Sequence, residues 1–337
     1  MSQFERLTID DIARLAGVSK TTASMVLNGR AAEYRIAAAT RDRVLAVAAE
    51  HHFSPSQSAR TLRSRSSGTL GLVVPELTNF AHAMLAQELE IQARALGYQL
   101  LLVTSDDDPE REYEGIRHLL SRQVDGLLVI PCAVTPGHYE RYARRTPLVL
   151  VDRRVPGSTL PFVVTAAEDR VADLVCELAT APGVNEVVFF GGQPGFSPSI
   201  DRLAGYRAGL ARAGLAEQDG WVWQRTFQRQ SGAELMAACH AALGHYPQVI
   251  FAASITLLEG VLAYMKEHQL FRTPPRLASF DNHDLLDCLP VAVDSVVQDS
   301  AGLAAAALAR VLALREGLAV APEWVPARLL RRSEQPG

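Results

Sequence analysis

Five residues, Gly195-Phe196-Ser197-Pro198-Ser199, set a serine where a hydrolase would carry its nucleophile elbow. The fifth position is Ser rather than Gly, and Pro198 has no backbone N–H to give an oxyanion hole. Just upstream, Gly191-Gly192-Gln193-Pro194-Gly195 is rich in glycine but is neither G-x-G-x-x-G nor a phosphate-binding P-loop. None of the nine histidines has H-E-x-x-H spacing. Asp106-Asp107-Asp108 precedes Pro109-Glu110 and reads as a helix N-terminus, where acids are favourable, rather than as a metal site. Cys132, Cys176, Cys239 and Cys288 are scattered, so neither a zinc ribbon nor a redox pair is indicated and a reducing compartment suits them. No catalytic constellation, metal or cofactor is expected.

A different chemistry is spaced regularly near the start of the chain. Thr8 with Asp11 has capping-box spacing, and Ile12 and Ala16 follow on one face. Gly17 breaks that helix, and Ser19 caps a second one in which Ala23, Val26 and Leu27 form the apolar stripe. Helix, glycine turn and helix is the helix-turn-helix spacing, whose second helix enters the major groove. Lys20, Thr21, Thr22 and Ser24 fall on its outer face, with Met25 placed to touch a thymine methyl. Asn28-Gly29 stops it. Thr40 is the expected cap of a third helix, with Val44, Leu45, Val47 and Ala48 as its buried side. Ser54-Pro55-Ser56-Gln57 starts a last helix of about two turns, marginal on its own.

Charge divides the same way. The 337 residues hold 33 Lys and Arg against 37 Asp and Glu, a net −4 that argues against a polyanionic partner. Residues 1–66 alone hold ten bases and six acids, +4, which leaves −8 for the rest. A basic head on an acidic body suggests a nucleic-acid module fused to something else. After residue 68 apolar strand-like runs alternate with amphipathic helices for about 270 residues. That texture predicts parallel sheets covered by helices, divided into two lobes with a ligand cleft at the strand ends. No signal peptide or membrane-spanning run is legible, so a soluble cytoplasmic protein is expected.

LTIDDIARLAGVSKTTASMVLNG, and then TRDRVLAVAAEHHFSPSQSARTLRSRSSGTLGLVVPEL, closely resemble the LacI/GalR family of bacterial transcription regulators. Asn28-Gly29-Arg30 with its long following loop, YQLLLVTSDDDPE, HLLSRQVDG, SPSIDRLAGYRAGL and LLEGV resemble the fructose-regulator branch, of the catabolite repressor/activator type. The resemblance implies an all-α helix-turn-helix head with a hinge helix on a two-lobed α/β core like the periplasmic binding proteins. It places the head at 1–53, the hinge and linker at 54–67 and the core at 68–337. The first lobe would take about 68–166 and 299–326, the second about 167–298 and 327–337. It also implies a hinge helix that folds in the minor groove, with Leu62 as the wedge opening the central base step and Arg60, Arg63 and Arg65 along phosphates. Thr8, Ser19, Asn28 and Arg35 complete the DNA-contacting set. The cleft set carried over is Asp152, Arg153, Arg154, Ser197, Ser199, Arg202, Ser254, Asp281 and Gln298.

The aspartates suit sugar hydroxyls and the arginines a phosphate. Fructose 1-phosphate or a related sugar phosphate is therefore the implied effector, and duplex operator DNA the implied partner. The branch usually reads Phe-Gly-Asp-Asn where this chain has Phe280-Asp281-Asn282-His283, which leaves the exact sugar, or another metabolite, open. No leucine heptad follows the core, so a homodimer is expected and a core-driven tetramer is left open.

Overall fold

The computed structural model describes residues 7–53 and 66–333. The chain divides into a unit of residues 1–67 and a unit of residues 68–337. Within the first, α1 (Ile9–Leu15), α2 (Lys20–Leu27) and α3 (Ala38–Glu50) pack around Ile12, Ala16, Ala23, Val26, Val44 and Ala48. The Thr8–Asp11 capping box forms, and Thr8 hydrogen bonds hold the Asp11 carboxyl at a pKa of about 2. Ser19 caps α2, its Oγ accepting from Thr22 N at 3.1 Å. Gly17, at φ 64°, makes the turn between them. Two expectations fail here. The third helix starts at Ala38 with Ala37 at the cap position, where it makes no side-chain cap bond, so Thr40 is inside the first turn rather than the cap. Leu45 is 45% exposed, because Val44 and Ala48 already fill the narrow contact with α1 and α2.

The second unit begins with β1 (Thr69–Val74), α4 (Phe80–Ala95), β2 (Gln99–Thr104), α5 (Pro109–Ser121), β3 (Gly126–Val129), the single turn α6 (Glu140–Ala143), β4 (Leu148–Val151) and β5 (Phe162–Ala166). The chain then crosses to α7 (Glu168–Ala179), β6 (Val188–Gly191), α8 (Ser197–Arg212), β7 (Val222–Gln224), α9 (Arg229–Leu243), β8 (Val249–Ala252), α10 (Ile255–Glu267), β9 (Arg276–Phe280) and β10 (Val293–Val297). It returns through α11 (Ser300–Arg315), and closes with β11 (Glu323–Pro326) and β12 (Arg328–Leu330). One six-stranded sheet runs β11-β5-β4-β3-β1-β2 and the other β12-β10-β9-β8-β6-β7. All pairs are parallel except β12 against β10, an antiparallel edge on an otherwise parallel sheet. Central strands such as LVLV and VIFA are buried on both faces, as helices on each side require.

Helix packing in the second lobe depends on glycine. A Cβ on Gly260 would sit 1.9 Å from the Arg229 carbonyl oxygen, and one on Gly232 2.0 Å from that of Leu257. These are backbone atoms that cannot turn aside, so α9 and α10 touch main chain to main chain. Gly260→Ala is expected to cost about 2 kcal/mol or more by overpacking. It should lower the core's thermal unfolding midpoint by roughly 5 °C in calorimetry, and an unchanged midpoint would refute the close-contact reading.

Candidate functional site

In the head, the exposed face of α2 carries Lys20 and Thr21, with Thr22, Ser24 and Met25 half-buried beside them. Lys20 Nζ is 2.7 Å from Asp10, an exposed pair that a phosphate can displace at little cost. Thr22 Oγ1 lies 2.8 Å from Ser19 Oγ. Asn28 Nδ2 donates to the Ser24 carbonyl at 2.7 Å and closes the helix. Arg35 is exposed, with φ 52°. Thr8 and Ser19 have both oxygens engaged in caps, so they order the helix ends whatever else they touch. Arg60, Leu62, Arg63 and Arg65 lie outside the described residues.

In the core, the strand ends of both sheets converge on a polar cleft. Asp152 follows β4 and Asp281 follows β9, each in the left-handed backbone region at φ 64° and 70°. That conformation is strained for most residues and easiest for Asn, Asp and Gly. It bends the chain at the strand end and turns each carboxylate into the cleft. Arg202, one turn into α8, donates to the Ala253 carbonyl at 2.5 Å and stacks 3.6 Å over the Phe280 ring, with Phe227 5.7 Å away. These three residues line one small cavity with Asn79, His82, Arg153, Pro198 and Ser254.

The cavity is short of partners. Arg202 Nε, Asp281 Oδ1, Ser199 Oγ and Gln298 Nε2 are buried with no hydrogen-bond partner. Unpaired buried polar atoms cost stability. Among the described residues, Arg202 and Asp281 bring two such atoms to the small cavity and Gln298 a third to the adjoining one that Asp281 also lines, which marks a place where a polar ligand supplies the missing bonds. Burial raises the Asp281 carboxyl to about 6, against the pull of Arg202. Burial likewise lowers the Arg202 pKa, opposed by Asp281 and Asp152. The free volume between the lobes here is only about 20 Å³, whereas ligand pockets commonly span about 300–1,000 Å³. Beside it a cavity of about 520 Å³ opens between Phe80, Met84 and Glu88 on one side and Asp281, His283 and Gln298 on the other, so a sugar-sized ligand has room next to the tight pocket. A larger cavity of about 580 Å³ on the second lobe is walled by Pro274, Pro275, Arg276 and Pro290, and none of the unpartnered polar atoms lines it.

The other carried-over residues separate into distinct places. Arg153 is 3% exposed, bonds Asp107 at 2.6 Å and lies 4.5 Å from the Phe196 ring of the opposite lobe. Ser254 caps α10, its Oγ accepting from Leu257 N at 3.2 Å, which leaves its hydroxyl hydrogen for the cleft. Ser197 Oγ accepts from Arg154 N at 2.9 Å and joins the lobes. Gln298 Oε1 accepts from Thr165 at 2.7 Å and ties two of the crossing strands together. Arg154 is the one the structure sets apart. It pairs with Asp201 at 2.5 Å and lines a separate cavity of about 370 Å³ with Arg170 and Trp324.

Sequence reasoning missed Asn79, His82, Phe227 and the support behind Asp281. Asn79 and His82 were legible: an Asn cap five residues after the first core strand places the first turn of α4 at the cleft, and His82 in that turn lines it. The support was not. Arg332 Nη2 donates to Asn282 at 2.8 Å and its Nε to Asp287 at 2.5 Å, holding the loop after β9 from fifty residues away. The His283 ring on that loop packs at a tilt against Phe80 of the other lobe, 4.2 Å between centroids, and narrows the mouth of the cleft.

A helix-turn-helix head on a two-lobed core with a polar cleft defines a DNA-binding regulator that answers to a small ligand. Residues 8–56 match the bacterial regulatory proteins of the lacI family, and residues 67–312 match the periplasmic binding proteins and sugar binding domain of the LacI family. The chain belongs to the LacI family of transcriptional regulators. It is 46% identical over 300 residues to the sucrose operon repressor of Klebsiella pneumoniae, covering 89% of this chain and 90% of that one. It is 35% identical to the fructose operon regulatory protein of Vibrio cholerae, over 91% and 93% of the two chains. The structure of the Cra transcriptional dual regulator of Pseudomonas putida in complex with fructose 1-phosphate superposes with a TM-score of 0.71 at 29% identity, over 79% of this chain and 98% of that one. These relatives are regulators, not enzymes. Among the described residues no helix is long and apolar enough to cross a membrane.

Proposed function

We propose that the protein controls genes of fructose or sucrose use, binding a palindromic operator as a homodimer and releasing it when a sugar phosphate, fructose 1-phosphate above all, enters the cleft. The observation that carries the reading is the cluster of unpartnered polar atoms around Arg202 and Asp281, with Arg153 buried alongside. Arginines favour a phosphorylated ligand over a neutral one, and carboxylates accept sugar hydroxyls. The likeness to the fructose 1-phosphate complex supports that choice. Ligand binding rearranges the lobes and weakens operator binding through the hinge, a coupling of about 1–3 kcal/mol. Such a regulator works in the cytoplasm, on the nucleoid.

Calorimetry with fructose 1-phosphate, fructose 1,6-bisphosphate, fructose and sucrose tests this. Heat with a fructose phosphate is the expected result, and none with any fructose compound ends the fructose reading. The sucrose operon relative motivates the second reading, sucrose itself as effector, which heat with sucrose alone would establish.

Leu62 is the proposed wedge of the hinge. Leu62→Ala is expected to lose specific operator affinity, by about 2 kcal/mol or more, while keeping weak non-specific binding. Gel-shift titrations with operator and scrambled duplexes check it, and unchanged operator affinity would remove the wedge.

A further inference from the structure

We propose that His82 Nε2 and the Asp152 carboxylate form a pair of hydrogen-bond acceptors that reads effector hydroxyls, making His82 a specificity-determining residue of the cleft. The proposal rests on the sugar-phosphate reading above and deepens it. His82 sits in the first turn of α4 and is 4% exposed. Its Nδ1 lies 3.3 Å from the Glu76 carbonyl oxygen. A carbonyl only accepts, so that contact requires the proton on Nδ1. A neutral imidazole has one N–H, which leaves Nε2 as a bare lone pair.

The ring is neutral because burial, aided by the Arg153 guanidinium, takes its pKa down to about 4, against the opposing pull of Asp152, Asp107 and the Glu76 carbonyl. Nε2 is 3.9 Å from Asp152 Oδ2, and both side chains are about nine-tenths buried. That distance is too long for a hydrogen bond, and two acceptors facing each other across it have no donor to share. Arg202 and Arg153 are already turned to Ala253 and Asp107. A ligand bringing hydroxyl hydrogens meets the need: one hydroxyl satisfies either acceptor, and two neighbouring hydroxyls satisfy both. The cleft is then divided. Arg202 and Ser254 offer donors to an anion or a ring oxygen, while His82, Asp152 and Asp281 accept from hydroxyls.

A site built to bond a hydroxyl rejects the analogue lacking it far more strongly than an apolar pocket rejects a missing methylene. Two measurements on the full-length protein test the proposal. Nitrogen-15 NMR at pH 7.5 should show His82 neutral with the proton on Nδ1. A proton on Nε2 overturns the pair. Calorimetry with fructose 1-phosphate and its monodeoxy analogues should show one analogue bound about 50-fold more weakly by the wild type. His82→Leu should bind the parent sugar phosphate as weakly as that analogue and no longer tell the two apart. His82→Gln, which keeps an acceptor oxygen, should recover part of the discrimination and guards against a folding defect in the leucine variant. Equal discrimination by wild type and His82→Leu overturns the role of His82 and leaves the effector reading standing. No binding of any sugar phosphate by the wild type overturns both.

Discussion

Replacing Arg202 by alanine should give a regulator whose operator occupancy no longer responds to its effector. Arg202 is the one guanidinium that touches both cleft aromatics, and its Nε is buried without a partner. Charge-assisted hydrogen bonds are worth about 1.5–3 kcal/mol each to the complex. Loss of a two-pronged contact should therefore weaken effector binding by about 100-fold or more. The change also removes the cation that opposes burial at Asp281, so that carboxyl should titrate still higher. Arg202→Lys keeps the charge but not the flat stack on Phe280, and is expected to lose about tenfold. Calorimetry with fructose 1-phosphate gives the affinity, and gel shifts with and without sugar give the response. Normal release of the alanine variant by the sugar would place the anion elsewhere.

The second large effect is on stability. Asp281 is 6% exposed and its carboxyl is raised to about 6 from an ordinary 3.8. The folded state thus holds this proton more tightly than the unfolded chain does. Above pH 6 the buried charge costs about 3 kcal/mol. The cost shrinks as pH falls through 6 and is gone below about 3.8. Asp281→Asn, which tolerates the same left-handed backbone, should stabilise the ligand-free core by about 2–3 kcal/mol at pH 7.5 and by only about 1 kcal/mol at pH 4.5. Urea titrations at the two pH values decide it, and a gain that is the same at both would contradict the burial argument. His82 runs the other way. With a folded pKa near 4 against 6.5, it takes stability from the core as pH falls between those values. The two slopes largely cancel in the wild type, so Asp281→Asn should also expose a steady acid-side decline.

What the sequence disclosed depended on how local the cause was. The Thr8 box, the Ser19 cap and the Gly17 turn each lie within a few residues, and all three were legible. Thr40 looked like a cap because its type suits one, yet the preceding loop delivers the chain into the helix at Ala37, three residues before it, so Thr40 is already inside the first turn. The parallel strands were legible as apolar runs. The strands β5, FVVTA, and β10, VDSVV, were not, since polar residues shorten their apolar runs, nor was the three-residue β7, and α9 is too rich in small residues to show a strong stripe. Asp152, Arg202 and Asp281 came from family likeness, not spacing: two strand ends and a helix bring them together across 129 residues of chain. The commitment of Arg154 to Asp201 could not be read from the chain at all, because it depends on how the two lobes meet.

The two sheets share one plan. Read from the same edge, β11-β5-β4-β3-β1-β2 and β12-β10-β9-β8-β6-β7 correspond strand for strand, and only the direction of the first strand differs. Asp152 after β4 and Asp281 after β9 are then the same position in two halves, with the same rare backbone angle. The cleft lies between these two matching strand ends, and their carboxylates stand in different company. One faces a histidine and the other an arginine, so the two halves of the cleft present different chemistry to whatever lies between them.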